Sequence, residues 1–223
     1  KNNILLISPF LPYKNSPHAG GQFIFNIIRF LSKTYLITLV ARVESTESIH
    51  INSIKKYCKN IYHYEFTTPE IATFWRPLII IKSYFALIRL ANRIIKQNAF
   101  DVIQIEFIET GLFYYNRSSS KLIINAHDII SIIAKRKLQA GNIILKPILW
   151  LKYLMLKIVE NSVIKKADLI WVRSEGDRKY LSNVACSKII SVFPLTLKKE
   201  LILNKLENKF NKSKSMLFVG ALN

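Results

Sequence analysis

Along the 223 residues, short runs of apolar, mostly β-branched residues alternate with longer stretches whose apolar positions recur at helical spacing. The short runs are 4–8 ("ILLIS"), 36–41 ("LITLVA"), 61–66, 102–106 ("VIQIE"), 122–126 ("LIINA"), 169–172 ("LIWV") and 189–193 ("IISVF"). Several are apolar throughout, as strands covered on both faces must be. Between the first two, Phe23, Ile24, Ile27, Ile28 and Leu31 fall at i, i+1, i+4, i+5 and i+8, one face of a helix. Further helices are expected over 46–58, 77–97, 143–166 and 174–183.

Strands alternating with helices predict a parallel sheet sandwiched between helical layers, a Rossmann-like doubly wound α/β domain. Such a sheet binds its ligands beyond the carboxyl ends of its strands, so residues just after each strand are the candidates for function. The pattern holds over 1–197 and then weakens: 198–214 is charged and Asn-rich, as in a linker, and 215–223 starts another strand. The expectation is a second domain of which only the opening strand is present.

Charge sharpens this picture. With 33 basic and 14 acidic residues, the net charge of +19 favours anionic partners, although heavy use of Lys, Asn and Ile throughout explains part of the excess. Eight Lys/Arg and one Glu lie between Lys135 and Lys166. Within that region Lys146, Trp150, Lys152 and Lys157 sit on a helix that is apolar nearly all round. One reading places it in a lipid headgroup layer, with lysine stems snorkelling to anionic groups; the other buries it between the sheet and a partner domain. The stretch 74–96 has similar character. Aromatics sit inside apolar segments rather than interleaved with exposed Arg, which argues against nucleic acid as a partner. No run reaches the length of a transmembrane helix, and the amino-terminal apolar run is too short for a secretory signal. Cys58 and Cys186 stand far apart without a partner motif, which predicts a reducing, cytosolic setting.

Three segments carry candidate chemistry. In "SPFLPYKNSPHAGGQ" the prolines hold an extended course, while Gly20 and Gly21 permit positive φ and close backbone approach ahead of a helix whose amides could meet phosphate. Neither a dinucleotide fingerprint nor a Walker A loop is present, so a plain turn is the competing reading. After the fifth strand, His127 and Asp128 stand where an imidazole could bond a sugar hydroxyl or phosphate, oriented by the adjacent carboxylate; a structural His-Asp pair is the alternative. Ser174 is a good N-cap for a helix opening at Glu175, with Asp177 in its first turn. Glu160, alone in a basic and apolar stretch, could pair with a lysine, cap a loop or be solvated.

Taken in order, "GGQ", "FDVIQIE", "NAHD", "E(x7)DLIWVRSEGDRKYL" and "LFVGAL" resemble the amino-terminal half of family 4 glycosyltransferases, over residues 3–223. These are GT-B enzymes, two Rossmann-like domains with the active site in the cleft between them. The resemblance implies that Gly20, Gly21 and Gln22 approach the donor diphosphate and the acceptor. It implies that His127, accompanied by Asp128, acts near the reacting centre, and that Ser174 and Glu175 open the helix after the "ADLI" strand. Glu160 matches the acid ahead of them.

The activity so implied is sugar transfer from a nucleotide sugar, with retention and without an essential metal or other cofactor. The expected acceptor is a glycan or lipid-linked molecule of cell-surface polysaccharide or lipopolysaccharide synthesis, met at the inner face of the plasma membrane. Only Pro194 of the family's Pro-Asn-Gly turn is kept, in "VFPLTL", and the carboxyl-terminal donor-binding domain is expected to lie beyond residue 223. Residues 1–223 alone are therefore expected to transfer little sugar. A non-catalytic membrane-surface binding module and a GT-B-fold epimerase are the alternative classes.

Overall fold

A computed structural model describes residues 1–67, 76–111, 119–185 and 189–194. Seven parallel strands form one sheet: β1 Asn3–Ser8, β2 Leu36–Glu44, β3 Asn60–Phe66, β4 Val102–Glu106, β5 Lys121–Asn125, β6 Leu169–Val172 and β7 Ile189–Val192. Their order is β3-β2-β1-β4-β5-β6-β7, so the winding reverses between β1 and β4. The expected doubly wound α/β fold is present.

Strand alternation builds the two cores. On β1, Leu5 and Ile7 join one cluster while Leu6 faces the other. The Leu6 side packs beneath helix α1 (Ala19–Leu31), through Ile24, Phe25 and Ile28. The Leu5 side receives Leu87, Ala91 and Ile94 of α3 (Arg76–Gln97), with Val163 and Ile164 of α5 (Lys146–Ile164). Leu5, Leu6, Ile24 and Ile28 are fully buried. Each contributes about 1.5–3 kcal/mol of transfer free energy.

The helices depart from the sequence pattern at three places. The single helix expected over 46–58 is a 3₁₀ segment, Ser45–His50, followed by a short α2, Ile51–Lys55. The stretch 143–166 opens with a 3₁₀ turn, Ile143–Leu145, before α5 begins. A helix absent from the sequence reading, α4 (Ile130–Ala140), leaves the end of β5 and packs against α5 as a hairpin. Helix α6 spans Glu175–Ser182. Cys186, residues 198–214 and the strand expected over 215–223 lie outside the described residues.

Glu160 explains how α4 begins. The α4 N-cap is Ile129, which offers no side-chain acceptor to the first turn. Glu160 of α5 supplies it from a distance: its carboxylate accepts the Ser131 amide at 3.0 Å and the Ser131 hydroxyl at 2.5 Å. Since that hydroxyl proton is committed, the Tyr180 hydroxyl of α6, 2.9 Å away, donates to Ser131 Oγ. The carboxylate also sits at the positive end of the α4 dipole. It is buried, not solvated. Burial pushes the carboxyl up from its ordinary range, opposed by hydrogen bonds from Ser131 and the Ile130 amide and by Lys157. Glu160→Ala should cost about 2–3 kcal/mol in urea unfolding, because two buried donors lose an ionic acceptor. Glu160→Gln, which keeps an acceptor oxygen, should cost less than half of that.

Candidate active site

The strand order reverses between β1 and β4, so a crevice opens beyond their carboxyl ends. Three segments meet there: the loop after β1, the residues after β4, and the ends of β5 and β6.

A carboxylate lies at its centre. Glu106, the last residue of β4, is fully buried. Its Oε1 accepts from Gln104 Nε2 at 2.5 Å, and its Oε2 accepts from Asn125 Nδ2 at 2.7 Å. His127 Nε2 stands 2.8 Å from the same Oε2. Three donors on a buried carboxylate make it the hub of a polar network rather than an orphaned charge. The Glu106 carboxylate fixes the imidazole proton on Nε2. In the neutral ring Nδ1 is then a lone-pair acceptor, and no described residue hydrogen-bonds it.

Arg173, just after β6, supplies the countercharge. Nη2 donates to Asn125 Oδ1 at 2.9 Å and lies 3.1 Å from His127 Nε2, while Nη1 donates to the Phe193 carbonyl at 2.9 Å. Its guanidinium packs 4.1 Å above the Phe23 ring, and its Nε is buried with no hydrogen-bond partner among the described residues. Burial lowers its pKa, opposed by Glu106 and Asp128. A guanidinium nonetheless stays charged at neutral pH.

Aromatic rings hold the imidazole in place. Phe107 stacks on His127 with centroids 4.0 Å apart and planes 8° from parallel, and Phe23 meets His127 edge-on at 5.6 Å. Phe107 has φ 67°, a left-handed conformation unusual for a residue with a Cβ. Such strain persists where surrounding contacts impose it: here the Phe107 amide donates to the Asn125 carbonyl at 3.0 Å.

Gly20 takes its meaning from that ring. A Cβ at Gly20 would come within 2.9 Å of Phe107 Cζ and 3.1 Å of Phe10 Cζ. At Gly21 a Cβ would collide with Ser16 Oγ. The expected positive φ is absent: no described glycine has it, and both residues lie in the first turn of α1 rather than in the preceding loop. Their lack of a side chain makes room for neighbouring side chains. Gln22 braces the loop, donating from Nε2 to the Ser16 carbonyl at 2.9 Å. Arg42 ties the loop to the sheet, through Nε to the Pro9 carbonyl at 2.9 Å. The α1 N-cap, His18, makes no side-chain cap, so the first-turn amides of α1 face outward unpaired by a cap. His18 itself is exposed and leans on Phe10.

The remaining expected residues are placed as follows. Asp128 is exposed and does not orient His127; Glu106 does, from the neighbouring strand. The charge of Asp128 acts on Glu109 and Arg173. Ser174 caps α6, accepting the Asp177 amide at 3.1 Å, and Glu175 pairs with Arg178 at 2.7 Å. Lys146, Trp150, Lys152 and Lys157 all lie on α5, with no hydrogen bond or ion pair to the His127 cluster among the described residues. No group of three or more His, Cys, Asp or Glu side chains placed to hold a metal occurs among the described residues.

Glu106, Gln104, Asn125 and Arg173 were missed in the sequence. Gln104 and Glu106 did leave a signal, two polar residues at i, i+2 in an otherwise apolar central strand. Glu109 is a further carboxyl at the crevice. Burial raises its pKa, with Asp128 adding to the rise and Arg42 and its own backbone hydrogen bond opposing it.

No protein-family profile matches the sequence, and no curated protein does. Solved structures share the fold at low identity. Sucrose-phosphate synthase from Thermosynechococcus elongatus superposes with a TM-score of 0.59 at 12% identity over 90% of this chain. A second, shorter structure of that synthase gives 0.52 at 12% identity, again over 90% of this chain and over 93% of its own. LpCGTa, solved in complex with UDP, gives 0.54 at 10% identity over 91% of this chain. The chain spans 50% of the length of the first synthase structure and 55% of LpCGTa.

Two outcomes follow from the cluster. Arg173→Ala should destabilise the protein by about 3 kcal/mol in urea unfolding, since Glu106 loses its countercharge, and Glu106→Gln in that background should recover part of the loss. For Glu109 the folded-state pKa lies above the unfolded value of about 4.3. The folded state therefore holds a proton that the unfolded chain releases, and stability falls as pH rises from there through the folded-state pKa. The stability difference between the parent and Glu109→Gln should move against the parent across that window.

The doubly wound α/β arrangement of the seven-stranded parallel sheet is the one found in GT-B glycosyltransferases such as the synthase.

Proposed function

We propose that the chain forms one wall of a glycosyltransferase cleft and takes part in transferring a sugar from a nucleotide-sugar donor to an acceptor. The observation that carries this reading is the Glu106–His127–Arg173 cluster at the sheet's switch point. An imidazole locked by a buried carboxylate on one side keeps its other nitrogen as a fixed acceptor. At a reacting sugar, that nitrogen positions a hydroxyl without rotamer entropy to lose. The first-turn amides of α1, left without a side-chain cap, offer positive dipole density for a diphosphate. LpCGTa, of like fold, binds UDP.

Within this reading His127 is the residue nearest the chemistry, with Asp128 beside it. Gly20, Gly21 and Gln22 shape the diphosphate and acceptor side, and Ser174 and Glu175 open the helix that follows Arg173. The transfer proceeds with retention, without a resident metal, to a glycan or lipid-linked acceptor. The opposing wall that grips the nucleotide is expected from a second domain.

The test is sugar transfer from a panel of nucleotide sugars by protein carrying a complete cleft, with product anomeric configuration read by NMR. His127→Ala should lower kcat about a hundredfold while leaving the fold intact by circular dichroism. Unchanged kcat in His127→Ala, or an inverted product, would sink the corresponding part of the proposal.

A further inference from the structure

The α4–α5 hairpin has a face that the crevice does not use. On α5, Leu149 and Leu156 line the groove against α4, and Glu160 and Val163 are buried further along the same side. Pointing the opposite way, Ile148, Leu151, Met155 and Ile158 recur at i, i+3, i+7 and i+10, continuing the line of Ile144 in the preceding turn. These five residues keep 55–79% of their surface exposed. Trp150 stands exposed on the flank of the stripe. An ordinary surface helix turns its polar face outward, whereas α5 is apolar on both its inner and its outer side.

Charge identifies what covers this face. Between Asp128 and Glu160 there is no acidic residue, while Lys135, Arg136, Lys137, Lys146, Lys152 and Lys157 all fall within that interval. On the helical wheel of α5, Lys152 borders one side of the outer stripe, and on the other side Lys157 and Lys146 follow beyond Trp150. Lysine stems lying alongside an apolar stripe, with Trp at its margin, match a helix resting in the headgroup layer of an anionic bilayer. Two copies meeting through the same stripe would set these cations against one another. Nucleic acid would engage the lysines but leave the stripe wet. No helix among the described residues is long and apolar enough to cross a membrane, so contact through this hairpin lies in the interface plane.

We infer that the α4–α5 hairpin docks the protein onto an anionic phospholipid surface, with Ile148, Leu151, Met155 and Ile158 inserted among the acyl chains. This goes beyond the sugar-transfer reading and does not depend on it. The hairpin leaves the sheet at the end of β5, next to His127, so docking would hold the crevice beside the membrane.

The test is co-sedimentation of the purified protein with vesicles of phosphatidylcholine alone or with about 30% phosphatidylglycerol, together with tryptophan emission. Binding should require the anionic lipid, and the emission should shift to the blue in the parent but much less in Trp150→Phe. The exposed changes Leu151→Glu and Ile158→Glu should together weaken vesicle binding more than about tenfold, with circular dichroism unchanged. Lys146→Ser with Lys152→Ser should weaken it and flatten its dependence on anionic content. Failure of the parent to bind anionic vesicles overturns the inference, as does full binding by the Leu151→Glu, Ile158→Glu protein. Dimerisation in solution that Leu151→Glu abolishes would assign the stripe to a second copy instead. A sugar-transfer assay with soluble acceptor is separate: both Glu variants should retain activity there, so a failed transferase reading and a failed docking reading are distinguishable.

Discussion

A carboxylate sealed inside the upper edge of a parallel sheet demands donors, and Glu106 recruits three of them. Gln104 comes from its own strand, and Asn125 and His127 from the end of β5, where Arg173 from the end of β6 meets both. Because Asn125 and His127 are each also held by Arg173, the cluster ties β4, β5 and β6 together where the polypeptide leaves the sheet. A buried charge left unpaired costs several kcal/mol, so the arrangement of these ends is strongly constrained. The imidazole orientation, the stacking of Phe107 and the need for glycine at position 20 all follow from that constraint.

A second buried carboxylate does similar work lower in the hierarchy. Glu160 starts α4 by capping it from α5 and, through Ser131, draws Tyr180 of α6 into the same contact. The two carboxylates thus divide the labour: Glu106 fixes the floor of the crevice, and Glu160 fixes the hairpin that rises beside it. The lever so formed carries an apolar, cationic outer face that has no role in the sheet's own packing.

Much of the fold was legible along the chain, because each strand of a doubly covered sheet is a short β-branched run and each covering helix has one apolar stripe. Where the reading failed, the cause was specific. Helix α4 has no cap of its own, since the acceptor for its first turn stands at Glu160, 29 positions from Ser131. The 46–58 segment has helical spacing, yet Ser45–His50 winds as 3₁₀ and only Ile51–Lys55 as α. At the glycine pair neither residue has positive φ, and each is small because an aromatic ring or a serine occupies the space.

The sequence by itself determined the parallel sheet, its edge as the place to look, the capping of α6 by Ser174 and the outlying charge of residues 135–166. These are local or periodic properties, written in composition and spacing. Only the tertiary structure decided which carboxylate holds His127. Asp128 is adjacent in the chain but points its charge elsewhere, whereas Glu106, 21 positions away, lies one strand over and within hydrogen-bond reach. Parallel pairing brings the ends of β4 and β5 together, and that proximity is a property of the register rather than of the sequence between them.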